Sequence, residues 1–144
     1  FHELKINNNY ITLIDESYNA SPISMKNCIN YFENFFIENN QRKILILGEM
    51  NELGEFSFDY HKEIVICALK TGINKIIFCG NLYSKILNNI NFDSEQVLDL
   101  SSELEITKFL ENNTHNNDII LAKGSNSTKI NILVKELLKT KIEN

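Results

Sequence analysis

Asp15, Glu16, Ser17, Tyr18 and Asn19 stand together where an apolar-alternating run, Tyr10 to Ile14, gives way to Ser21-Pro22 and a helical pattern. A strand handing over to a helix in an open α/β sheet places its polar residues at the strand's carboxyl end, where ligands bind. A carboxylate such as Asp15 can accept two hydrogen bonds from the vicinal hydroxyls of a ribose. The same residues also suit a plainer role, with Asp15 terminating the strand and Ser21 capping the helix ahead of Pro22. Two further polar loops have the same placement: Glu49-Met50-Asn51-Glu52-Leu53-Gly54-Glu55 and Lys123-Gly124-Ser125-Asn126-Ser127-Thr128. Lys123 with Gly124 and Ser125, just before a helix, could cup a carboxylate or phosphate, or Lys123 could sit in solvent beside a tight turn. His61 reads as packing on a buried helical stripe. Neither G-x-G-x-x-G nor G-x-x-x-x-G-K-[ST] occurs, so a self-sufficient dinucleotide or P-loop site is not expected.

The elements that must position these loops follow from periodicity. Glu3 to Asn7 and Tyr10 to Ile14 flank Asn7-Asn8-Asn9 and predict a hairpin. Lys43 to Gly48 is a continuous apolar run, the pattern of a strand buried on both faces. Lys75 to Cys79, Gln96 to Leu100 and Asp118 to Ala122 predict three more strands. Helices are predicted over about Ile23 to Asn39 (with Met25, Cys28, Ile29, Phe32, Phe35 and Phe36 inward), Ser57 to Lys70, Leu82 to Leu87, Ser101 to Glu111, and a last one bearing Ile130, Leu133, Val134, Leu137 and Leu138. Ser101 is the expected cap of the fourth, and Lys135, Lys139 and Lys141 fall toward the carboxyl end of the fifth, where cations suit the dipole. Strands alternating with helices imply right-handed crossovers. The expected fold is a Rossmann-like α/β three-layer sandwich. Its sheet has six mostly parallel strands, with one antiparallel edge strand supplied by the hairpin.

The chain has 144 residues, 43% hydrophobic and 23% charged, which suits one ordinary globular domain. A net charge of −5 and the absence of a Lys/Arg cluster argue against a nucleic-acid surface. No run is long enough to span a bilayer and no signal peptide is evident, so no membrane role is expected and a cytoplasmic location is. Cys28, Cys67 and Cys79 lie in apolar segments without C-x-x-C or metal-like His spacing, and read as core thiols with no metal site. The sequence opens at Phe1, already strand-like and without methionine, as a piece of a longer protein would.

At the three loops the sequence resembles the Mur ligase family. IDESYNASPISM is similar to D-[DE]-[ST]-Y-N-A-N-P-x-S-M, LGEMNELGEFSFDYH to L-G-[DE]-M-x-E-L-G with a downstream His, and LAKGSNST to L-[VA]-K-G-S-R-S. These are motifs of the branch that adds D-Ala-D-Ala to UDP-MurNAc-tripeptide in peptidoglycan precursor synthesis. Other branches and the folylpolyglutamate synthetases usually read D-[YG]-A-H at the first loop and lack the Tyr-Asn pair. The three motifs cover nearly the whole chain.

The resemblance implies that residues 1–144 are a single carboxy-terminal domain. The amino-terminal UDP-sugar domain and the central ATPase domain, which carries the P-loop and the magnesium ligands, would be elsewhere. In the family ATP phosphorylates the acceptor carboxylate and the dipeptide amine attacks the acyl phosphate. The isolated domain would be inactive, with no catalytic residue of its own, and its partners would be ATP, UDP-MurNAc-tripeptide, D-Ala-D-Ala and its own central domain. Carried over by motif, Asp15 would bind the ATP ribose with Tyr18 and Asn19 beside the nucleotide. Glu49, Met50, Glu52, Leu53, Lys123, Gly124 and Ser125 would face the dipeptide, Lys123 pairing with its terminal carboxylate. Ser21 stands where the family usually has Asn, and Asn126 where it usually has Arg. The alternative is a stand-alone nucleotide-binding or docking α/β module without catalysis.

Overall fold

The computed structural model describes residues 1–35, 37–38, 41–125 and 129–142. Strands β1 (His2–Ile6) and β2 (Asn9–Glu16) form the opening hairpin, followed by α1 (Pro22–Glu33), β3 (Lys43–Gly48), a 3-10 turn (Gly54–Phe56) and α2 (Ser57–Leu69). Then come β4 (Lys75–Cys79), α3 (Asn81–Leu87), β5 (Val97–Asp99), α4 (Glu103–Asn113), β6 (Ile119–Lys123) and α5 (Lys129–Leu138). The sheet order is β1-β2-β6-β3-β4-β5, antiparallel only between β1 and β2.

Side chains alternate across each strand, and the core divides accordingly. Leu45 and Leu47 of β3 point to one face with α1, α2 and α3, where Met25, Ile29, Phe32, Ile64, Val65 and Tyr83 pack. Ile44 and Ile46 point to the other with α4 and α5, among Ile106, Leu110, Ile130 and Leu133. All six residues of β3 are buried, which is why that segment reads as unbroken apolar sequence. The expected three-layer sandwich is the observed one.

Several element ends differ from the sequence expectation. α1 stops at Glu33 because the Lys43 ammonium donates to the Glu33 carbonyl at 2.6 Å and Asn34 folds back to Asn30. Phe35 therefore lies beyond the helix against the rings of Phe1 and Tyr31; Phe36 and Asn39 lie outside the described residues. Ser102, not Ser101, caps α4 by accepting the Glu105 N–H at 3.2 Å, while the Ser101 N–H donates to the Glu105 carboxylate. α5 ends at Leu138, so Lys139 and Lys141 fall past it: Lys139 pairs with Glu136 and Lys141 bridges to Leu4 on β1.

Candidate functional site

β2, β6 and β3 are neighbours and parallel, so their carboxyl ends open on one rim, with β6 in the middle. β2 extends two residues past its expected end because Asp15 pairs with Ala122 and Glu16 with Lys123. Asp15 and Lys123 thus stand on strands, and the loops begin after them. Ser21 caps α1 in a reciprocal capping box with Ser24.

The three loops are bonded into one platform. Lys123 reaches under the first loop and donates from Nζ to the Asn19 carbonyl at 2.7 Å. Ser125 joins the other two: its N–H donates to the Glu49 carbonyl at 3.1 Å, its hydroxyl accepts the Asn51 N–H at 2.8 Å and sits 3.5 Å from the Ala20 carbonyl. Lys123 and Ser125 are only 5% and 7% exposed. The structure accordingly places both beneath the rim, holding backbone, where sequence alone suggested an open cup for an anion. Gly124 is equally buried; a Cβ there would crowd Gly48 and Ile130. Asn126 lies outside the described residues.

The second loop is fixed from below. The Gly48 carbonyl accepts from the Tyr83 hydroxyl at 2.9 Å, and the Met50 N–H donates to His61 Nε2 at 2.9 Å. The Met50 side chain is turned into the core on the α1–α2 side, so only its backbone belongs to the rim. Glu49 directs a carboxylate oxygen to the Asn81 N–H at 3.0 Å. Its side chain occupies the space a Cβ at Gly80 would need, and Gly80 has φ 149°, open in practice to glycine. Glu49 therefore caps α3. Glu52 is exposed and held at φ 61°, a left-handed conformation that costs a side-chain-bearing residue about 1 kcal/mol. Leu53 is half-buried against the core.

On the first loop, Asp15 Oδ1 accepts from the Ser17 N–H at 2.9 Å and hydroxyl at 2.6 Å, and the half-buried carboxylate keeps Oδ2 outside that turn. Tyr18 is 65% exposed, its hydroxyl donating to Glu16 at 3.0 Å. That bond and the Glu16 charge push the phenol above its ordinary value, which keeps the ring neutral. Asn19 is exposed beside it. A carboxylate oxygen, a neutral aromatic face and an amide thus share one patch, while Glu52 stands on the other side of β6. Burial pushes the Cys28 and Cys79 thiols up to about 11, so neither is a thiolate nucleophile at neutral pH. Among the described residues no three His, Cys, Asp or Glu side chains gather to hold a metal.

Sequence reasoning missed Tyr83, whose position in a short helix gives no hint that its hydroxyl reaches Gly48. It gave His61 only a packing role, although its place downstream of the Gly-Glu-Met loop in the motif was a usable signal.

The family model described as "Mur ligase, glutamate ligase domain" matches residues 2–126, and the chain belongs to the Mur ligase family. Within it, the chain is 30% identical over 132 residues to the UDP-N-acetylmuramoyl-tripeptide–D-alanyl-D-alanine ligase of Bacillus subtilis, covering 90% of this chain and 28% of that protein. It is 35% identical over 129 residues to the enzyme of the same name from Buchnera aphidicola subsp. Acyrthosiphon pisum, covering 88% and 27%. The MurF ligase of Thermotoga maritima, crystallised with ADP, superposes with a TM-score of 0.70 at 22% identity over 90% of this chain and 28% of that one. A domain from a Haemophilus ducreyi protein, described as a putative UDP-N-acetylmuramate:L-alanyl-gamma-D-glutamyl-medo-diaminopimelate ligase, matches end to end at 96% of both chains, with a TM-score of 0.62 and 17% identity. The chain spans little more than a quarter of the curated relatives it matches.

Proposed function

We propose that this chain is the carboxy-terminal domain of an ATP-dependent ligase that joins D-Ala-D-Ala to UDP-MurNAc-tripeptide through an acyl phosphate. The observation that carries this reading is the bonded rim, on which a nucleotide-suited patch and a second loop are held in fixed relation by Lys123 and Ser125. Asp15 Oδ2 accepts the ribose hydroxyls, with the Tyr18 ring and Asn19 beside the nucleotide. ATP supplies the phosphoryl group that activates the acceptor carboxylate. In this reading the phosphates and Mg2+ are held by the central domain.

Glu52 and Leu53 face the dipeptide. Glu49, Met50, Gly124 and Ser125 shape that side through backbone. Lys123, which sequence reasoning paired with the dipeptide carboxylate, supports both sides from beneath. Such a domain contributes orientation and water exclusion on closing over the reacting groups. No described helix is long and apolar enough to cross a membrane, and we place the protein in the cytoplasm, where nucleotide-linked precursors are made.

The test is a phosphate-release assay with ATP, magnesium, UDP-MurNAc-tripeptide and D-Ala-D-Ala, run on this chain and on the full-length product of its gene. Activity that needs both acceptor and dipeptide, and appears only in the longer protein, is expected. A full-length product without such activity that still binds ATP would leave a nucleotide-binding module without catalysis.

A further inference from the structure

His61 is fully buried, yet its ring does more than fill space. Nδ1 lies 2.6 Å from the Ser57 carbonyl, which can only accept, so Nδ1 carries the proton. Nε2 is then a bare acceptor, and the Met50 N–H donates to it at 2.9 Å. One tautomer is specified from both ends. The ring meets Tyr83 edge-on, with centroids 5.1 Å apart, and the Tyr83 hydroxyl donates to the Gly48 carbonyl at 2.9 Å. The two side chains therefore grip the backbone polar groups on either side of Glu49. An apolar residue of similar volume would pack equally well but leave the buried Met50 N–H unpaired.

We propose that His61, with Tyr83, is a positioning residue for the ligation: it sets the path of the 49–53 segment and so the aim of Glu52 toward the dipeptide. The proposal rests on the dipeptide-facing role given to that loop above. It predicts an order among substitutions that packing alone would reverse. Glutamine can place Oε1 where Nε2 stands and still accept from Met50, whereas leucine fills the space without an acceptor.

The experiment compares the full-length protein with its His61→Gln and His61→Leu variants, reading amide exchange across residues 49–53 and the KM values for ATP and D-Ala-D-Ala. His61→Gln is expected to stay close to the unsubstituted protein. His61→Leu is expected to raise both the exchange rate and the dipeptide KM by about tenfold, the factor one ordinary hydrogen bond supplies, with the ATP KM unmoved. Leucine matching or outperforming glutamine would overturn the proposal, as would faster exchange in His61→Leu at an unchanged dipeptide KM. If the His61 variants do not fold, Tyr83→Phe removes only the hydroxyl: faster exchange at 49–53 together with a raised dipeptide KM supports the proposal, and either one unchanged overturns it. An unsubstituted protein without ligase activity would count against the proposed function, while exchange would still decide whether His61 holds the loop.

Discussion

The two ends of the sheet are built on opposite principles. At the amino ends of β3 and β6, Arg42 grips Asp118 with two nitrogens, at 3.0 and 2.7 Å, and reaches the Asn113 carbonyl at 2.8 Å. Asp118 is wholly buried and also takes the His115 N–H at 2.7 Å. Charge there meets charge, and the surrounding amides close the remaining backbone: Asn9 donates to the Thr114 carbonyl and Asn116 accepts from the Tyr10 N–H. At the carboxyl ends the bonds from Lys123, Ser125 and Tyr83 run from side chains to backbone, while Tyr18, Asn19 and Glu52 stand exposed and Asp15 is half-buried. One end uses its polar groups to close the fold; the other keeps the chemically capable ones facing outward.

That contrast can be broken at either end. Arg42→Ala would leave Asp118 as an uncompensated buried carboxylate, and about 3–5 kcal/mol of stability should be lost in urea unfolding. Substrate KM values should change little in whatever fraction stays folded; a mild stability loss would mean that the amino end is not where the fold is locked. Gly48→Ala drives a Cβ into Ile130 at the base of the rim. Overpacking there should lower stability by about 1–3 kcal/mol, read as a fall in melting temperature.

Lys123→Ala should cost about 1 kcal/mol, since water can reach the Asn19 carbonyl it leaves. Its larger effect should be on the full-length enzyme, raising the KM values for both ATP and the dipeptide. A rise confined to the dipeptide would show that Lys123 touches that substrate instead of the platform. The last effect shows only in alkali. The Cys28 and Cys79 thiols ionise near 9 when unfolded and only at about 11 in the fold. Their contribution is full below pH 9 and is lost as pH rises through 11. Replacing both by Ala should flatten that part of a stability-versus-pH curve.

The layer order was legible in the sequence wherever local pattern decides it. Lys43 to Gly48 announces a doubly buried strand, and the α5 stripe announces a helix. What escaped were facts set by distant neighbours. Nothing near Asp15 says that β2 continues, because its partner residues Ala122 and Lys123 arrive from the far end of the chain. Met50 sits in a polar loop and looks available, yet the core takes its side chain. Lys123 looks like a solvent cation until folding brings it to a carbonyl 104 residues away. Motif spacing picked out three loops that the sheet brings to one rim; it could not tell which of their residues face outward and which hold the loops together.

The tail after α5 returns along the outer side of β1: the Lys5 N–H donates to the Thr140 carbonyl, the Ile142 N–H to the Glu3 carbonyl, and Leu4 bridges Lys141. The opposite edge, β5, is three residues long. Neither flank of the sheet offers the long row of free amides on which a foreign strand could grow. Glu3 and Ile142, near the two limits of the described residues, are thus hydrogen-bonded neighbours, the kind of closeness that tolerates rejoining. A circular permutant of this domain, joined there and reopened in the turn near Asn91, should keep its loops in register.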